Sequence, residues 1–211
     1  MNSEALTKQG SIDVAYFMRR LYDKDLTSCS GGNVSLRLEN GVVLITPSAL
    51  DKGELQPEQV VAVTMDGENL SRDIKPTIEM GMHLAVYRSR PDVRAVVHAH
   101  PVFATTFSCI GKEIEAELTP ETIMTIGQIP VAGYHPAGTG ELAEATAEAL
   151  GGNNVVLMRN HGVLAVGPTL LKAFDRLEVT ELAAKMTWLA QSMGQNPGMR
   201  PDQSAAMKAL L

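Results

Sequence analysis

The run Val96-Val97-His98-Ala99-His100-Pro101 carries two histidines two residues apart at the end of an apolar segment. Alternate side chains of a strand share a face, so His98 and His100 project to the same side and can meet just beyond the strand end. Imidazole nitrogens converging in this way suit a divalent metal ion. A pair of hydrogen-bonded core histidines is the other reading, and the His-x-His pair alone does not separate the two. The chain supplies two more groups at expected element boundaries, Glu79 upstream and His161 in Asn160-His161-Gly162 downstream. Three histidines and a carboxylate make a ligand set for a transition metal, most simply zinc. Both readings stay open on local pattern.

Other reactive side chains have weaker claims. His83 lies four residues after Glu79 but makes no His-Glu-x-x-His motif, and it reads as structural. His135, in Tyr134-His135-Pro136, reads as a surface or interface residue. Ser30-Gly31-Gly32-Asn33 is neither a Walker A loop nor a GxGxxG, which leaves nucleotide binding without support. Its two glycines would let backbone amides gather around an oxyanion, although a plain helix-to-strand turn explains them as well. Thr46-Pro47-Ser48 and Thr77 offer hydroxyls to the same anion or to local turns and caps. Cys29 reads as a small packed side chain, because nothing nearby would depress its pKa.

The elements that must position these groups follow from periodicity and punctuation. Val14, Phe17, Met18, Leu21 and Tyr22 form one apolar stripe on a helix from Ser3 to about Asp23. Strands at 34–38 and 42–46 flank Glu39-Asn40-Gly41, a hairpin signal, and 60–65 offers a third strand. Pro76 and Thr77 open a helix to about Arg88 with Glu79 in its first turn. A strand at 93–98, a helix at 102–109 and a helix start at Thr119-Pro120-Glu121 come next. A loop at 133–140 leads to a helix from Thr139 to Leu150, then strands at 155–158 and 163–166. Pro168-Thr169 opens the final helix, with Leu170, Phe174, Leu177, Ala184 and Trp188 on one face. Glu181 shares that face and needs a partner. Residues 1–194 form one expected domain, and the tail at 195–211 reads as a loose arm. Hairpins among the early strands predict an α/β protein with a mostly antiparallel sheet under helices, not a doubly wound nucleotide fold.

Bulk properties narrow the partners. The chain has 211 residues, a net charge of −6 and 20% charged residues. Its pI near 5.4 and lack of a basic stripe argue against nucleic acid. No run reaches the ~18 apolar residues of a membrane span. Met-Asn-Ser-Glu-Ala opens an amphipathic pattern, not a secretory leader, and two cysteines are too few for a disulfide scaffold. The expected location is the cytoplasm.

Taken together, Ser-Gly-Gly-Asn-Val-Ser at 30–35, Ile-Thr-Pro-Ser at 45–48, Lys-Pro-Thr-Ile-Glu at 75–79, His-Ala-His at 98–100 and Asn-His-Gly at 160–162 resemble the class II aldolase/adducin family. The closest character is that of its fuculose-phosphate aldolase branch. Order and spacing hold from about residue 5 to 194. The resemblance implies a three-layer α/β/α fold with a central, mostly antiparallel sheet, and a homotetramer with active sites at subunit interfaces. It implies a Zn2+ ion (Mn2+ or Co2+ as alternatives) on His98, His100, His161 and Glu79, with Glu79 also the base. It assigns Ser30, Gly31, Asn33, Ser48 and Thr77 to the phosphate of a small sugar phosphate. The implied reaction is aldol cleavage of a ketose 1-phosphate to dihydroxyacetone phosphate and an aldehyde, through a metal-stabilised enediolate.

The chain departs from that branch in three places. Ile78 replaces a second serine before the glutamate, Ala49 replaces a glycine, and the tyrosine that protonates the leaving fragment has no counterpart. Glu121 is the nearest candidate for that last role. Ile78 removes one phosphate donor, while the missing tyrosine changes the aldehyde side, which suits a deoxy or otherwise modified pentulose phosphate. Decarboxylation of a phosphorylated 3-oxo sugar acid is the main rival, with 4-epimerisation of a sugar phosphate disfavoured by Glu79. A non-catalytic adducin-like scaffold ranks last, since it would have no reason to keep all four ligand side chains.

Overall fold

The computed structural model describes residues 3–71, 73–195 and 198–209. Met1 and Asn2 of the N-terminal reading, Asn196 and Pro197 of the tail, and Leu210 and Leu211 lie outside them. Seven strands form one sheet in the order β3-β2-β1-β4-β7-β6-β5. They are β1 (Asn33–Arg37), β2 (Val43–Ile45), β3 (Val61–Val63), β4 (Ala95–Ala99), β5 (Val131–Ala132), β6 (Val155–Met158) and β7 (Gly162–Gly167). All neighbours pair antiparallel except β5 with β6. The β1–β2 hairpin turns where Asn-Gly predicts: Leu38 N–H donates to Val42 O at 2.8 Å, and Gly41 has φ +83°.

Both faces of the sheet are covered, so its central strands read as continuous apolar runs without alternation. Ala95, Val97, Ala99, Val163 and Ala165 share one core with Val14, Met18, Leu21, Phe174 and Leu177. These last residues come from α1 (Ser3–Asp23) and α6 (Leu170–Ser192). Val96, Leu164 and Val166 share the opposite core with Leu84, Tyr87, Leu142 and Leu150 of α2 (Met80–Ser89) and α5 (Gly140–Leu150). This is the three-layer α/β/α arrangement expected. His98 lies on the same face as Val96, toward α2.

Glu181 finds the partner its position demands. Its carboxylate accepts from Phe103 N–H at 2.9 Å and Ala104 N–H at 2.8 Å, capping α3 (Val102–Ile110) directly after His100-Pro101. Burial raises its pKa against the pull of those two amides. Glu181→Ala is expected to cost about 1–2 kcal/mol, read as a lowered urea midpoint with an unchanged m-value.

Four expectations need correction. The segment after Gly194 is not a loose arm: it carries α7 (Pro201–Lys208), tied to the rest of the chain through Glu117. Glu117 O accepts from Met199 N–H at 2.7 Å, and its carboxylate accepts from Ser204 and Lys208. Trp188 is 49% exposed, on the outer side of α6 next to buried Thr187, with its ring against Phe103 (centroids 5.6 Å apart). Tyr22, the end of the α1 stripe, is 42% exposed. The short β5 falls just before the expected loop, and β4 begins two residues later than predicted because Val93 still belongs to the turn from Arg90.

Candidate metal centre and anion cleft

Four separate segments bring the reactive side chains together. His98 stands in β4 and His100 one residue past its end. His161 sits in the β6–β7 turn, which Asn160 makes possible by adopting φ +53°. Glu79 occupies the residue before α2, and Asn33 opens β1 opposite His98. Glycine permits this crowding. A Cβ on Gly162 would lie 2.5 Å from Ala99 O and 2.7 Å from His100 Cδ2, and one on Gly31 would lie 2.9 Å from His100 Nδ1.

The imidazoles of His98, His100 and His161 each bring a nitrogen to within 4.8 Å of the others. His98 Nε2 is 3.1 Å from His100 Nε2 and 3.3 Å from Glu79 Oε2, while His161 Nε2 is 3.0 Å from Glu79 Oε1. His98 Nδ1 is 2.8 Å from Val163 O, which orients the ring and aims Nε2 at the cluster. Beyond that contact with His161, Glu79 Oε1 is buried with no other hydrogen-bond partner among the described residues, and His161 Nδ1 is buried with none. Three imidazole nitrogens and one buried carboxylate fit a divalent transition metal.

The charges of the cluster shift one another. Burial opposes the charge on Glu79, but facing His98, together with hydrogen bonds from His161, His98 and Asn33, holds its carboxyl well below the usual range. Burial likewise opposes charge on His98, and Glu79 overcomes it, raising the imidazole pKa. His100 is pushed down to about 3 by burial and by the nearby charges of His98 and His161, so its ring stays neutral with a lone pair available.

Behind Glu79 runs a hydrogen-bond chain of defined polarity. Asn33 Nδ2 donates to Glu79 Oε2 at 2.7 Å and is 3.2 Å from Thr77 Oγ1, so Asn33 Oδ1 faces His83 Nε2 at 2.6 Å. That oxygen can only accept, which places the ring proton on His83 Nε2. His83 Nδ1 then accepts from Ser35 Oγ at 2.7 Å, and Ser35 Oγ accepts from Tyr87 at 2.7 Å. Burial and the neighbouring His98 push His83 down to about 3, consistent with this neutral ring. His83 therefore sets the orientation of Asn33.

Beside the histidines opens a cleft of about 370 Å³. Ser30, Gly31, Asn33, Ser48 and Thr77 all line it, together with Glu79, His100 and His161. Ser48 Oγ donates to Pro76 O at 2.8 Å, and Ser48 N–H donates to Lys75 O at 3.0 Å, locking the two loops together. Ala49, also in the lining, adopts φ +56°, a conformation glycine takes without strain. Ala49→Gly is expected to stabilise the fold by about 0.5 kcal/mol in chemical denaturation. Relief of ~1–2 kcal/mol of left-handed strain exceeds the ~0.4–1 kcal/mol gained by the unfolded chain. Ile78 stands 70% exposed at the cleft.

Two residues depart from the expected set. Glu121 is exposed in the first turn of α4 (Pro120–Thr125) and does not line the cleft. Lys52, which no motif in the sequence singles out, is 2% exposed and lines it. A larger hollow, about 610 Å³, lies elsewhere beside α7 and holds none of the histidines.

A three-layer sheet domain with a histidine–carboxylate cluster at one strand end defines a known class. Residues 12–188 match the family described as Class II Aldolase and Adducin N-terminal domain, and the chain belongs to that family. The L-fuculose phosphate aldolase of Methanococcus vannielii is 38% identical over 172 residues, 82% of this chain and 92% of that protein. The 5-deoxy-D-ribulose 1-phosphate aldolase of Bacillus thuringiensis serovar kurstaki is 34% identical over 90% of this chain and 89% of its own. The 3-oxo-tetronate 4-phosphate decarboxylase of Escherichia coli K12 is 34% identical over 83% of each. A solved L-fuculose 1-phosphate aldolase superposes with a TM-score of 0.87 at 32% identity, covering 98% of this chain and 95% of that one. Among the described residues no helix is long and apolar enough to cross a membrane.

Proposed function

We propose that the protein is a metal-dependent aldehyde-lyase that cleaves a ketose 1-phosphate to dihydroxyacetone phosphate and an aldehyde. The observation that carries this reading is the convergence of His98, His100, His161 and Glu79 at the edge of a cleft of about 370 Å³. The ion would be Zn2+, with Mn2+ or Co2+ as alternatives, and it supplies Lewis acidity for the charge of an enediolate. Glu79, buried and ionised, moves the proton at the reacting carbons. Asn33, expected at the phosphate, instead directs its amide nitrogen to Glu79 and Thr77 and, oriented by His83, holds Glu79 in place. Ser30, Gly31, Ser48 and Thr77 bind the phosphate, whose contacts orient the reacting bond from a distance.

Ile78 and Ala137 give the open side of the cleft an apolar character suited to a deoxy or modified pentulose phosphate. The 5-deoxy-D-ribulose 1-phosphate aldolase relative supports the same substrate class. Glu121 would serve the aldehyde side from a neighbouring subunit of a cytoplasmic homotetramer with interfacial active sites. A second reading, decarboxylation of a phosphorylated 3-oxo sugar acid, draws support from the decarboxylase relative and needs the same metal and cleft. Neither nucleic acid nor a membrane enters as a partner.

The deciding experiment is dihydroxyacetone phosphate release from a panel of ketose 1-phosphates, with and without chelator. Chelator-sensitive release is expected, fastest for a 5-deoxypentulose phosphate. Failure to release it from any member, with metal confirmed in the protein, would overturn the aldolase and favour the decarboxylase.

A further inference from the structure

Lys52 is an unusual residue for a turn: its side chain is buried, and a fully buried lysine is rare unless paired. Its backbone N–H donates to Cys29 O at 2.8 Å, and Nζ donates to Pro47 O. The side chain thus runs between the 28–33 loop and the Pro47-Ser48-Ala49 step, the two walls of the cleft it lines. Among the described residues no carboxylate forms an ion pair with it. An ammonium has three protons, and one of them is on Pro47. Two remain for a ligand in the cleft.

We propose that Lys52 binds the phosphoryl group of the substrate, giving its two free Nζ protons to phosphate oxygens and supplying the positive charge that the serine, threonine and glycine contacts lack. This rests on reading the cleft as a sugar-phosphate site. An unneutralised cation beneath a polar cleft carries a burial cost, and a phosphate dianion is the ligand that offsets it most directly. Burial lowers the Lys52 pKa to about 8, so most of the population is still charged at neutral pH. A lysine needed only to brace the turn would require no access to the cleft. Nor would it depend on what occupies the cleft.

The test is calorimetric titration of the metal-loaded protein with inorganic phosphate, dihydroxyacetone phosphate and unphosphorylated dihydroxyacetone. Lys52→Met keeps the volume of the aliphatic stem without the charge and is expected to fold, which circular dichroism would verify. The Met variant should bind both phosphorylated probes roughly 10- to 100-fold more weakly than wild type. Its affinity for dihydroxyacetone should stay within about threefold. Lys52→Arg, which keeps the charge, should recover part of the loss. Equal binding of the phosphorylated probes by wild type and the Met variant would overturn the proposal, as would a parallel loss for dihydroxyacetone. If wild type binds dihydroxyacetone but neither phosphorylated probe more tightly, the sugar-phosphate reading itself falls and the role of Lys52 falls with it.

Discussion

Replacing Glu79 by glutamine is expected to lower turnover about 10²- to 10⁴-fold while leaving the ion in place. The amide matches the carboxylate in size and can still accept from Asn33 Nδ2, now 2.7 Å from Oε2. It cannot take up a proton and deliver it to the enediolate carbon, as cleavage requires. His98, His100 and His161 remain as three nitrogen ligands, so metal content should stay near one ion per chain by elemental analysis. A fall in kcat without loss of metal would separate the proton-transfer role of Glu79 from its role as a ligand. Parallel loss of both would make it chiefly a ligand, and unchanged kcat would remove it from the chemistry.

The second large effect is expected from Gly162→Ala. The added methyl would sit 2.5 Å from Ala99 O and 2.7 Å from His100 Cδ2, and neither the β4 backbone nor a ring held in the cluster can retreat freely. Since Met158 pairs with Gly162 and Ala99 with Val163, the collision falls where β4, β6 and β7 meet. The variant should lose about 3 kcal/mol of stability in urea unfolding. Its metal content should fall well below one ion per chain. Full stability and full metal content would show that the turn can move, and that the tight packing around His100 is not required.

Much of this architecture is legible in the sequence because both periodicity and punctuation are strong. The α1 stripe as far as Leu21, the Asn-Gly hairpin and the helix starts at Thr139 and Thr169 each rest on one local rule, and each recurs in the structure. His98 and His100 declare a shared face through their spacing alone. Glu181 was conspicuous as a charge on an apolar face, which is why its need of a partner could be foreseen. β5 is too short to show alternation. α7 is polar on most sides, and its docking depends on Glu117, some 80 residues earlier. Lys52 gives no local sign of burial, because a lysine next to Asp51 and Gly53 ordinarily faces water. Only the meeting of two distant loops encloses it. His83 was legible as structural, but its link through Asn33 to Glu79 depends on the pairing of β1 with β4.

The four side chains of the candidate metal cluster come from positions 79, 98, 100 and 161, joined by strand pairings between residues far apart in the chain. No fragment lacking β4, the β6–β7 turn or the start of α2 can assemble them, so an ion bound there would latch those elements together. By mass action, an ion present at 1,000 times its dissociation constant would add about 4 kcal/mol to the unfolding free energy. Starving the protein of metal would then shorten its lifetime as a folded molecule as well as silence its chemistry.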